Sequence, residues 1–198
     1  SAQRFKRESN MRIVGGKYKR RPLKAPPGFD IRPTSDRARE AFFNILEHGV
    51  DDFNIVGASV IDVFAGTGAL GLEALSRGAA HASFIDHESR ALKCAQENAG
   101  NIGEGRNVTM LKLDALNLPP PPLTAQAPCT LAFLDPPYRS GMAVDALRSL
   151  KIKGWIGPGT ICVIELAAKE VFTPPDGFEK LDKRSYGAAQ VLFLRTNV

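Results

Sequence analysis

The chain has 198 residues, of which 43% are hydrophobic and 24% charged, and its net charge at pH 7 is +5. These values are typical of a globular protein that is long enough for one α/β domain and too short for two. Since no apolar run approaches the ~18 residues of a membrane span and no secretory pattern opens the chain, we expect a cytoplasmic protein. The three cysteines and three histidines are scattered, which predicts reduced thiols and no metal site.

The basic charge is concentrated at the N-terminus. Residues 1–24 contain nine basic side chains and one acid, a net charge of +8, which leaves −3 for the rest of the chain. A basic arm on a slightly acidic body predicts a polyanionic partner, and nucleic acid is the first candidate. Apolar residues alternate with the charges around Gly15-Gly16, so residues 12–24 are predicted to form a small packed hairpin. The candidate RNA-binding residues are Arg12, Lys17, Lys19, Arg20 and Arg21.

A helix is predicted after a proline-rich connector. Thr34, Ser35 or Asp36 can cap it, and Gly49 ends it. Its apolar stripe consists of Ala38, Ala41, Phe42, Ile45 and Leu46. Its polar face carries Arg37, Glu40 and Asn44. This face is chemically mixed, and the pattern alone leaves open whether it lines a site or faces solvent.

Strands and helices alternate through the remainder of the chain. The predicted strands are 59–64, 81–86, 108–113, 131–134 and 160–166. One helix follows the first strand and ends near Arg77, and two more cover 88–101 and 143–150. A closing hairpin covers 178–186 and 190–195. This alternation predicts a right-handed, doubly wound α/β sheet of seven strands with an antiparallel edge pair. We therefore divide the chain into a basic arm and hairpin (residues 1–33) and one α/β domain (residues 34–198). If translation begins at Met11, residues 1–10 are an extension.

A glycine-rich loop follows the first of these strands. Gly66-x-Gly68-x-x-Gly71 opens a helix, which is the pattern of nucleotide-binding loops. Asp62, four residues before Gly66, helps to separate two ligand classes. A carboxylate repels a pyrophosphate and attracts the ammonium group of a methionine moiety, whose own carboxylate can meet the helix N-terminus. The loop therefore favours S-adenosylmethionine over a nicotinamide dinucleotide.

Two further acids follow the next two strands. Asp86 is placed to accept hydrogen bonds from ribose hydroxyl groups, and Asp114 from the adenine amino group. Each acid alone is equally well explained as a polar strand terminus. Together with Asp62 and the glycine loop, they indicate an adenosyl sulfonium ligand.

The fourth strand ends in Asp135-Pro136-Pro137-Tyr138. Neither proline has a backbone N–H, so Asp135 and the Pro136 carbonyl form an edge of acceptors without donors, beside a ring that can stack on a base. Such an edge suits an exocyclic amine on a planar heterocycle. Drawing both amine protons toward acceptors takes the nitrogen lone pair out of conjugation, as attack on a methyl group requires. A strand followed by a proline-stiffened turn is the simpler alternative.

These residues resemble the RsmD family, which methylates guanine N2 in bacterial 16S ribosomal RNA. The resemblance is carried by the segments 62–78 and 135–138, and the segments 11–16, 32–44 and Tyr186-Gly187 are similar to further signatures of that family. It implies a Rossmann-like class I S-adenosylmethionine-dependent methyltransferase that modifies guanine 966 of the RNA. It also implies 16S ribosomal RNA as the partner, within a small ribosomal subunit particle. We expect a monomer, because no apolar helix or strand is left over.

The resemblance also implies roles for individual residues. Cofactor binding is expected of Asp62, Phe64, Ala65, Gly66, Thr67, Gly68, Asp86 and Asp114, and of Thr34, Arg37 and Asn44 on a helix that closes over the cofactor. The base is expected to lie against the catalytic residues Asp135, Pro136, Pro137 and Tyr138.

Three other functions share parts of this pattern. An adenine-N6 or cytosine-N4 DNA methyltransferase uses the same chemistry, but the chain has no room for a separate target-recognition domain. A nicotinamide-dependent oxidoreductase is opposed by Asp62 and by the missing substrate domain. A non-catalytic RNA-binding module would have no need of the intact acids and the intact tetrapeptide.

Overall fold

The computed structural model of the protein describes residues 11–26, 28 and 35–197. A seven-stranded sheet with helices on both faces forms the body of the molecule. The strands are β1 (Ser59–Val63), β2 (His81–Asp86), β3 (Val108–Lys112), β4 (Cys129–Leu134), β5 (Ile156–Ala167), β6 (Phe178–Tyr186) and β7 (Ala189–Thr196). The helices are α1 (Asp36–His48), α2 (Ala69–Ser76), α3 (Ser89–Asn101) and α4 (Met142–Lys153), and Leu123–Ala125 forms one 3-10 turn.

The strand order determines where a ligand can bind. It is β3-β2-β1-β4-β5-β7-β6, with β1 to β5 parallel and β7 antiparallel to both of its neighbours. The chain winds outward in one direction from β1 and in the other from β4. The carboxyl ends of β1 and β4 therefore flank the topological switch point, which is the place where open α/β sheets bind ligands. The predicted doubly wound sheet with an antiparallel edge pair is confirmed.

The sheet separates two hydrophobic cores. Alternate residues of β4 serve each of them: Phe133 packs with α1, α2 and α3, while Leu134 packs with α4. The central strands are buried on both faces, which explains why their sequences are continuous apolar runs. All three cysteines are free and buried. In the ranges that the structure describes, no helix has the length and apolarity to cross a membrane.

Helix α1 begins at the predicted cap. The Ser35 hydroxyl accepts a hydrogen bond from the Ala38 N–H at 3.1 Å, and Gly49 ends the helix. Its buried face is rotated relative to the predicted stripe, since Phe43 is fully buried against Phe133 while Ile45 is only half-buried. The rotation follows from the two adjacent aromatic rings, both of which gain more from burial than the smaller residues of the stripe.

The arm is a hairpin packed on the body. Ile13 and Leu23 are buried, the Ile13 N–H donates to the Arg21 carbonyl at 3.0 Å, and Arg12 pairs with Pro22 across the hairpin. This agrees with the hairpin predicted for residues 12–24. The proposed division of the chain near residue 33 falls outside the described residues and stays a prediction.

A buried carboxylate attaches this hairpin to α2. Glu73 is fully buried and accepts hydrogen bonds from the N–H groups of Val14 (3.0 Å) and Gly15 (3.0 Å), while Arg77 forms an ion pair with it at 3.1 Å. Burial raises the pKa of the Glu73 carboxyl, against the lowering effects of the Val14 N–H and Arg77. The arm is therefore joined to the helix that begins at the glycine loop.

Replacing Glu73 with Ala should destabilise the protein strongly. It leaves two buried backbone donors without their acceptor and removes one of the two carboxylates that pair with Arg77, a change that typically costs about 3–5 kcal/mol. Glu73→Gln keeps an acceptor and should cost less. Urea unfolding measures both, with Glu47→Ala as the control, because Glu47 is more exposed and forms a longer ion pair with Arg77 at 3.4 Å. An equal loss in the Glu47 and Glu73 variants would contradict this account.

Candidate functional site

The loop between β1 and α2 has the conformation that its glycines allow. Gly66 and Gly68 have φ angles of 55° and 81°, and Gly68 caps α2. A Cβ on Gly71 would lie 2.5 Å from the Phe84 ring, so only glycine lets α2 approach β2 this closely. A Cβ on Gly66 would meet nothing within 4 Å among the described residues. The loop thus borders open space at Gly66.

Phe64 is held in an unusual backbone conformation at the end of β1. Its φ of 60° lies in the left-handed region, which a bulky residue rarely adopts. The half-buried ring packs on the core that contains α4, and this packing holds the strained backbone in place. Ala65, the next residue, donates its N–H to the Ile85 carbonyl at 3.0 Å, so the loop is fastened to β2. Strain of this kind is concentrated at ligand sites.

Asp62 lies beneath the glycine loop. Its side chain is buried, and Oδ2 accepts a hydrogen bond from the Gly71 N–H at 2.9 Å. Burial raises the pKa of Asp62 well above its ordinary value of 3.8; the Gly71 N–H opposes that rise, and the nearby Asp135 and Asp86 carboxylates add to it. A cation placed beside this group would favour its ionised form. The methionine ammonium group expected here is such a cation.

The acids that follow β2 and β3 lie at the same edge of the sheet. Asp86 accepts hydrogen bonds from the N–H groups of Gly66 and Glu88, both at 2.9 Å. Asp114 is exposed and accepts from the Leu116 N–H at 2.9 Å. Asp86 therefore orients the glycine loop directly. Each of its carboxylate oxygens has a second lone pair with which it could accept from a ribose hydroxyl.

This donor and acceptor set fits S-adenosylmethionine. Acids at the ends of three neighbouring strands match an ammonium group, a ribose and an adenine amine, and the open space at Gly66 is next to them. A pyrophosphate in the same place would lie near the Asp62 and Asp86 carboxylates, which repel it.

The tetrapeptide after β4 lies beside this loop. The Asp135 N–H donates to the Val63 carbonyl at 3.4 Å, so Asp135 continues the sheet next to the end of β1. Pro136 is buried, Pro137 is exposed and Tyr138 is half-buried. The Tyr138 hydroxyl donates to the Glu165 carboxylate at 3.4 Å. The structure therefore brings the acceptor edge and the glycine loop together across the switch point.

A cavity of about 450 Å³ opens beside Tyr138. It lies between the N-terminal turns of α1 and the connection from β6 to β7. Its polar and aromatic side chains are Ser35, Arg37, Tyr138, Glu165 and Tyr186. Aromatic rings together with a carboxylate and a guanidinium are suited to a nucleotide, since rings stack on a base, a carboxylate accepts from it and Arg binds phosphate.

The remaining residues predicted to bind the cofactor do not lie together in one site. Arg37 lines the cavity, whereas Asn44 is exposed two turns further along α1. The Thr67 side chain is directed at the arm, where Oγ1 donates to the Met11 sulfur at 3.4 Å. Thr34 lies outside the described residues. The roles of these residues stay predictions.

The five candidate RNA-binding residues of the arm fall into two groups. Arg12 forms an ion pair with Asp36 at 2.7 Å, Lys17 forms one with Glu104 at 3.0 Å, and the Arg21 guanidinium donates to the Asn101 carbonyl. Lys19 and Arg20 are exposed in the turn of the hairpin. Arg12, Lys17 and Arg21 therefore attach the arm to the body, whereas Lys19 and Arg20 extend from the arm into solvent.

Two functional side chains, Glu165 and Glu73, were not predicted from the sequence. Glu165 ends the apolar run 161–164 just as Asp135 ends the run 131–134, so the same signal was available. Tyr186 entered only through the family resemblance, because its place beside the cavity depends on how the closing hairpin pairs. Glu73 lies within a helical apolar stretch, and its backbone partners are distant in sequence.

The fold, the glycine loop and the acids at the strand ends define a class I S-adenosylmethionine-dependent methyltransferase. Comparisons with known proteins agree. A sequence model of the family described as "Conserved hypothetical protein 95" matches residues 11–195. "Ribosomal RNA small subunit methyltransferase D" from Escherichia coli is 35% identical over 157 residues, which are 78% of this chain and 74% of that protein. The Haemophilus influenzae protein of the same name is 28% identical over 190 residues, or 91% of each chain.

Solved structures show the same relationship. The "putative methyltransferase yhhF" from Escherichia coli superposes with a TM-score of 0.78 at 30% identity, covering 94% of this chain and 98% of that one. An RNA methyltransferase from Salinibacter ruber, solved with S-adenosyl-L-homocysteine, shares the fold with a TM-score of 0.59 at 16% identity, covering 84% of this chain and 94% of that one. The chain belongs to the RsmD family, and S-adenosylmethionine is its cofactor.

Asp62→Asn should stabilise the cofactor-free protein and weaken cofactor binding. The raised pKa means that stability is lost as pH rises above the ordinary value of 3.8 and the buried carboxyl ionises. The melting temperature of the variant should therefore exceed that of the wild type more at pH 8 than at pH 5. Affinity for S-adenosylhomocysteine should fall about 10- to 100-fold, since a charge-assisted hydrogen bond is lost.

Thermal melts at both pH values and calorimetric titration measure these effects. Asp176→Asn is the control, because this carboxyl is exposed in the loop before β6 and is not among the residues expected to bind the cofactor. Unchanged cofactor affinity in the Asp62 variant would contradict the role assigned to Asp62.

Proposed function

We propose that the protein transfers the methyl group of S-adenosylmethionine to the exocyclic N2 of a guanine in 16S ribosomal RNA, within a small-subunit particle. The observation that carries the proposal is the acceptor-only edge of Asp135 and Pro136 beside the glycine loop. The names of the relatives support an activity on ribosomal RNA. The choice of guanine N2 is supported by the family resemblance.

The chemistry supplied by the cofactor is a methyl group on a positively charged sulfur, which leaves as a neutral thioether. The main task left to the protein is to place the accepting amine, and fixing two reactants in an attacking geometry lowers a barrier by several kcal/mol or more. Asp62, Asp86 and the glycine loop lie at the ends of β1 and β2, and the amine-binding edge lies at the end of β4. Adjacent strand ends of a buried sheet are rigid, so they suit this task.

Asp135 and the Pro136 carbonyl orient the amine. Both N–H bonds of N2 point at acceptors, which turns the nitrogen lone pair away from the ring and stabilises the positive charge that grows on nitrogen. No strong base is required before attack, because the methylated ammonium is acidic enough to lose its proton afterwards.

Tyr138 provides the surface on which the base stacks. Guanine N2 inside a stacked helix cannot reach a donor buried at a sheet edge, so the base has to leave the helix. Recognition of splayed bases on aromatic rings is typical of RNA loops and bulges. The cavity beside Tyr138 has room for such a base, because its volume lies in the usual range for ligand sites.

Asp135→Ala should reduce methyl transfer to a small residual rate and leave cofactor binding intact. Removing one oriented acceptor of a growing charge costs about 100- to 1000-fold in turnover. Incubation with radiolabelled S-adenosylmethionine and small-subunit RNA measures the rate, and mass spectrometry of the RNA identifies the methylated base. Asp176→Ala, at an exposed loop position, is the matched control. A parallel loss of cofactor affinity in the Asp135 variant, or methylation of a base other than guanine, would count against the proposal.

Lys19→Ala combined with Arg20→Ala should weaken RNA binding and leave cofactor affinity unchanged. Two phosphate contacts are lost, so the slope of log affinity against log salt should become shallower by about 1.4–1.8. Replacement of the two exposed side chains is sharper than deletion of the hairpin, which would also remove Ile13 from the core. Filter binding at several salt concentrations measures the slope. The control is Lys112→Ala combined with Lys153→Ala, which removes the same charge from β3 and α4. An equal change of the salt slope in this control would show that the arm has no special role in RNA binding.

A further inference from the structure

We propose that Glu165 selects guanine as the base by accepting the hydrogen bond of its ring N1–H, while Asp135 and Pro136 hold the neighbouring N2 amine. This inference rests on the proposed function and adds a specificity-determining residue to it. The observations that support it are the register of β4 and β5, the burial of Glu165 and its place in the cavity.

The sheet places the Glu165 and Asp135 carboxylates next to each other. Leu134 of β4 is the parallel partner of Ile164 of β5, so the following residues, Asp135 and Glu165, are neighbours across the two strands. Phe133 and Val163, two residues earlier, both point into the core beneath α1. Since side chains alternate along a strand, Asp135 and Glu165 lie on that same face.

Glu165 is also part of the cavity proposed to hold the base. Its side chain is buried, with a relative exposure of 7%, and it lines the cavity together with Tyr138 and Tyr186. The Tyr138 hydroxyl donates to its Oε1 at 3.4 Å. The carboxylate is therefore located at the edge of a base that stacks on Tyr138.

The chemistry of the bases makes two adjacent acceptors selective. In guanine, the ring carbon that bears the exocyclic amine lies between N1, which carries a proton, and N3, which carries a lone pair, so one side of the amine presents an N–H donor. In adenine and cytosine, the ring nitrogen next to the exocyclic amine carries a lone pair instead, which a carboxylate repels. An acceptor edge alone serves any of the three amines, whereas an acceptor edge with a second carboxylate beside it complements guanine. Glu165 thus distinguishes this site from that of an adenine-N6 or cytosine-N4 methyltransferase.

A substrate series crossed with variants tests this role. The substrates are a small-subunit RNA fragment with its target guanine and the same fragment with 2-aminopurine there, which keeps the amine and lacks the N1–H. Wild-type kcat/KM should favour guanine. Glu165→Ala should lower kcat/KM for the guanine substrate about 10- to 100-fold, because a charge-assisted hydrogen bond is lost. The same variant should change kcat/KM for the 2-aminopurine substrate by less than about threefold.

Glu165→Gln keeps the shape of the side chain, so it tests the role of Glu165 in base preference even if the Ala variant is unstable. Its carbonyl can still accept from N1–H without charge, and its amide can donate to the unprotonated N1 of 2-aminopurine, so the preference for guanine should narrow at least tenfold. Glu179→Gln is the matched control, because Glu179 is exposed on the edge strand β6 and should leave the preference unchanged.

Tyr138→Phe distinguishes a direct contact of Glu165 with the base from an indirect effect of Glu165 on the position of the Tyr138 ring. It removes the hydroxyl that contacts Glu165 and keeps the stacking ring, so the preference for guanine should persist in this variant. If it loses the preference as the Glu165 variants do, Glu165 acts only by positioning Tyr138 and the proposal is overturned.

The two proposals fail in different ways. Absence of methyl transfer to guanine by the wild-type protein would refute the proposed function. Guanine methylation by the wild type, with an equal loss on both substrates in the Glu165 variants, would refute the role of Glu165 alone. A preserved preference in Glu165→Gln would refute it as well.

Discussion

The placement of carboxylates at the ends of neighbouring parallel strands is the constraint on which this site depends. Asp62, Asp86, Asp135 and Glu165 lie at or within two residues of the carboxyl ends of β1, β2, β4 and β5, respectively, and three of them are buried. Like charges at this spacing repel one another and lose hydration, so an empty site of this kind works against the stability of the fold. The cost is offset by backbone N–H groups at Asp62 and Asp86, and it is reduced further by a ligand with positive charge or N–H donors. S-adenosylmethionine and an exocyclic amine are both ligands of that kind.

The same constraint explains the irregular backbone around the site. Gly71 has to lie against Phe84 for its N–H to reach Asp62, and Phe64 adopts a left-handed conformation for the chain to turn into the glycine loop. The half-buried ring of Phe64 stabilises this turn from the opposite face of the sheet. Strain in the backbone and burial of charge are thus concentrated in one loop, while the surrounding strands follow ordinary parallel geometry.

The fold and the cofactor loop were predictable from the sequence because their signals are local. Apolar runs that end in an acid, glycines at fixed spacing and a serine cap each determine the structure within a few residues, and β2 and the Ser35 cap are found where they were expected. The buried face of α1 was misplaced because two adjacent aromatic rings outweigh helical periodicity. The cavity was not predictable, since it joins α1, β5 and the turn after β6, and only the paired sheet brings these segments together.

The arm has a mechanical role that its charge pattern does not reveal. The sequence predicts a basic, packed hairpin at residues 12–24, and in the structure Asn98 also fastens it to the glycine loop: the Asn98 amide donates to the carbonyls of both Lys24 and Thr67 at 3.0 Å. Met11 contacts the Thr67 side chain, and Glu73 holds the hairpin from α2. The residues expected to meet RNA are therefore rigidly connected to the loop expected to hold the cofactor. A substitution in the buried part of the arm should therefore affect both RNA binding and cofactor binding, whereas a substitution at its exposed turn should affect RNA binding alone.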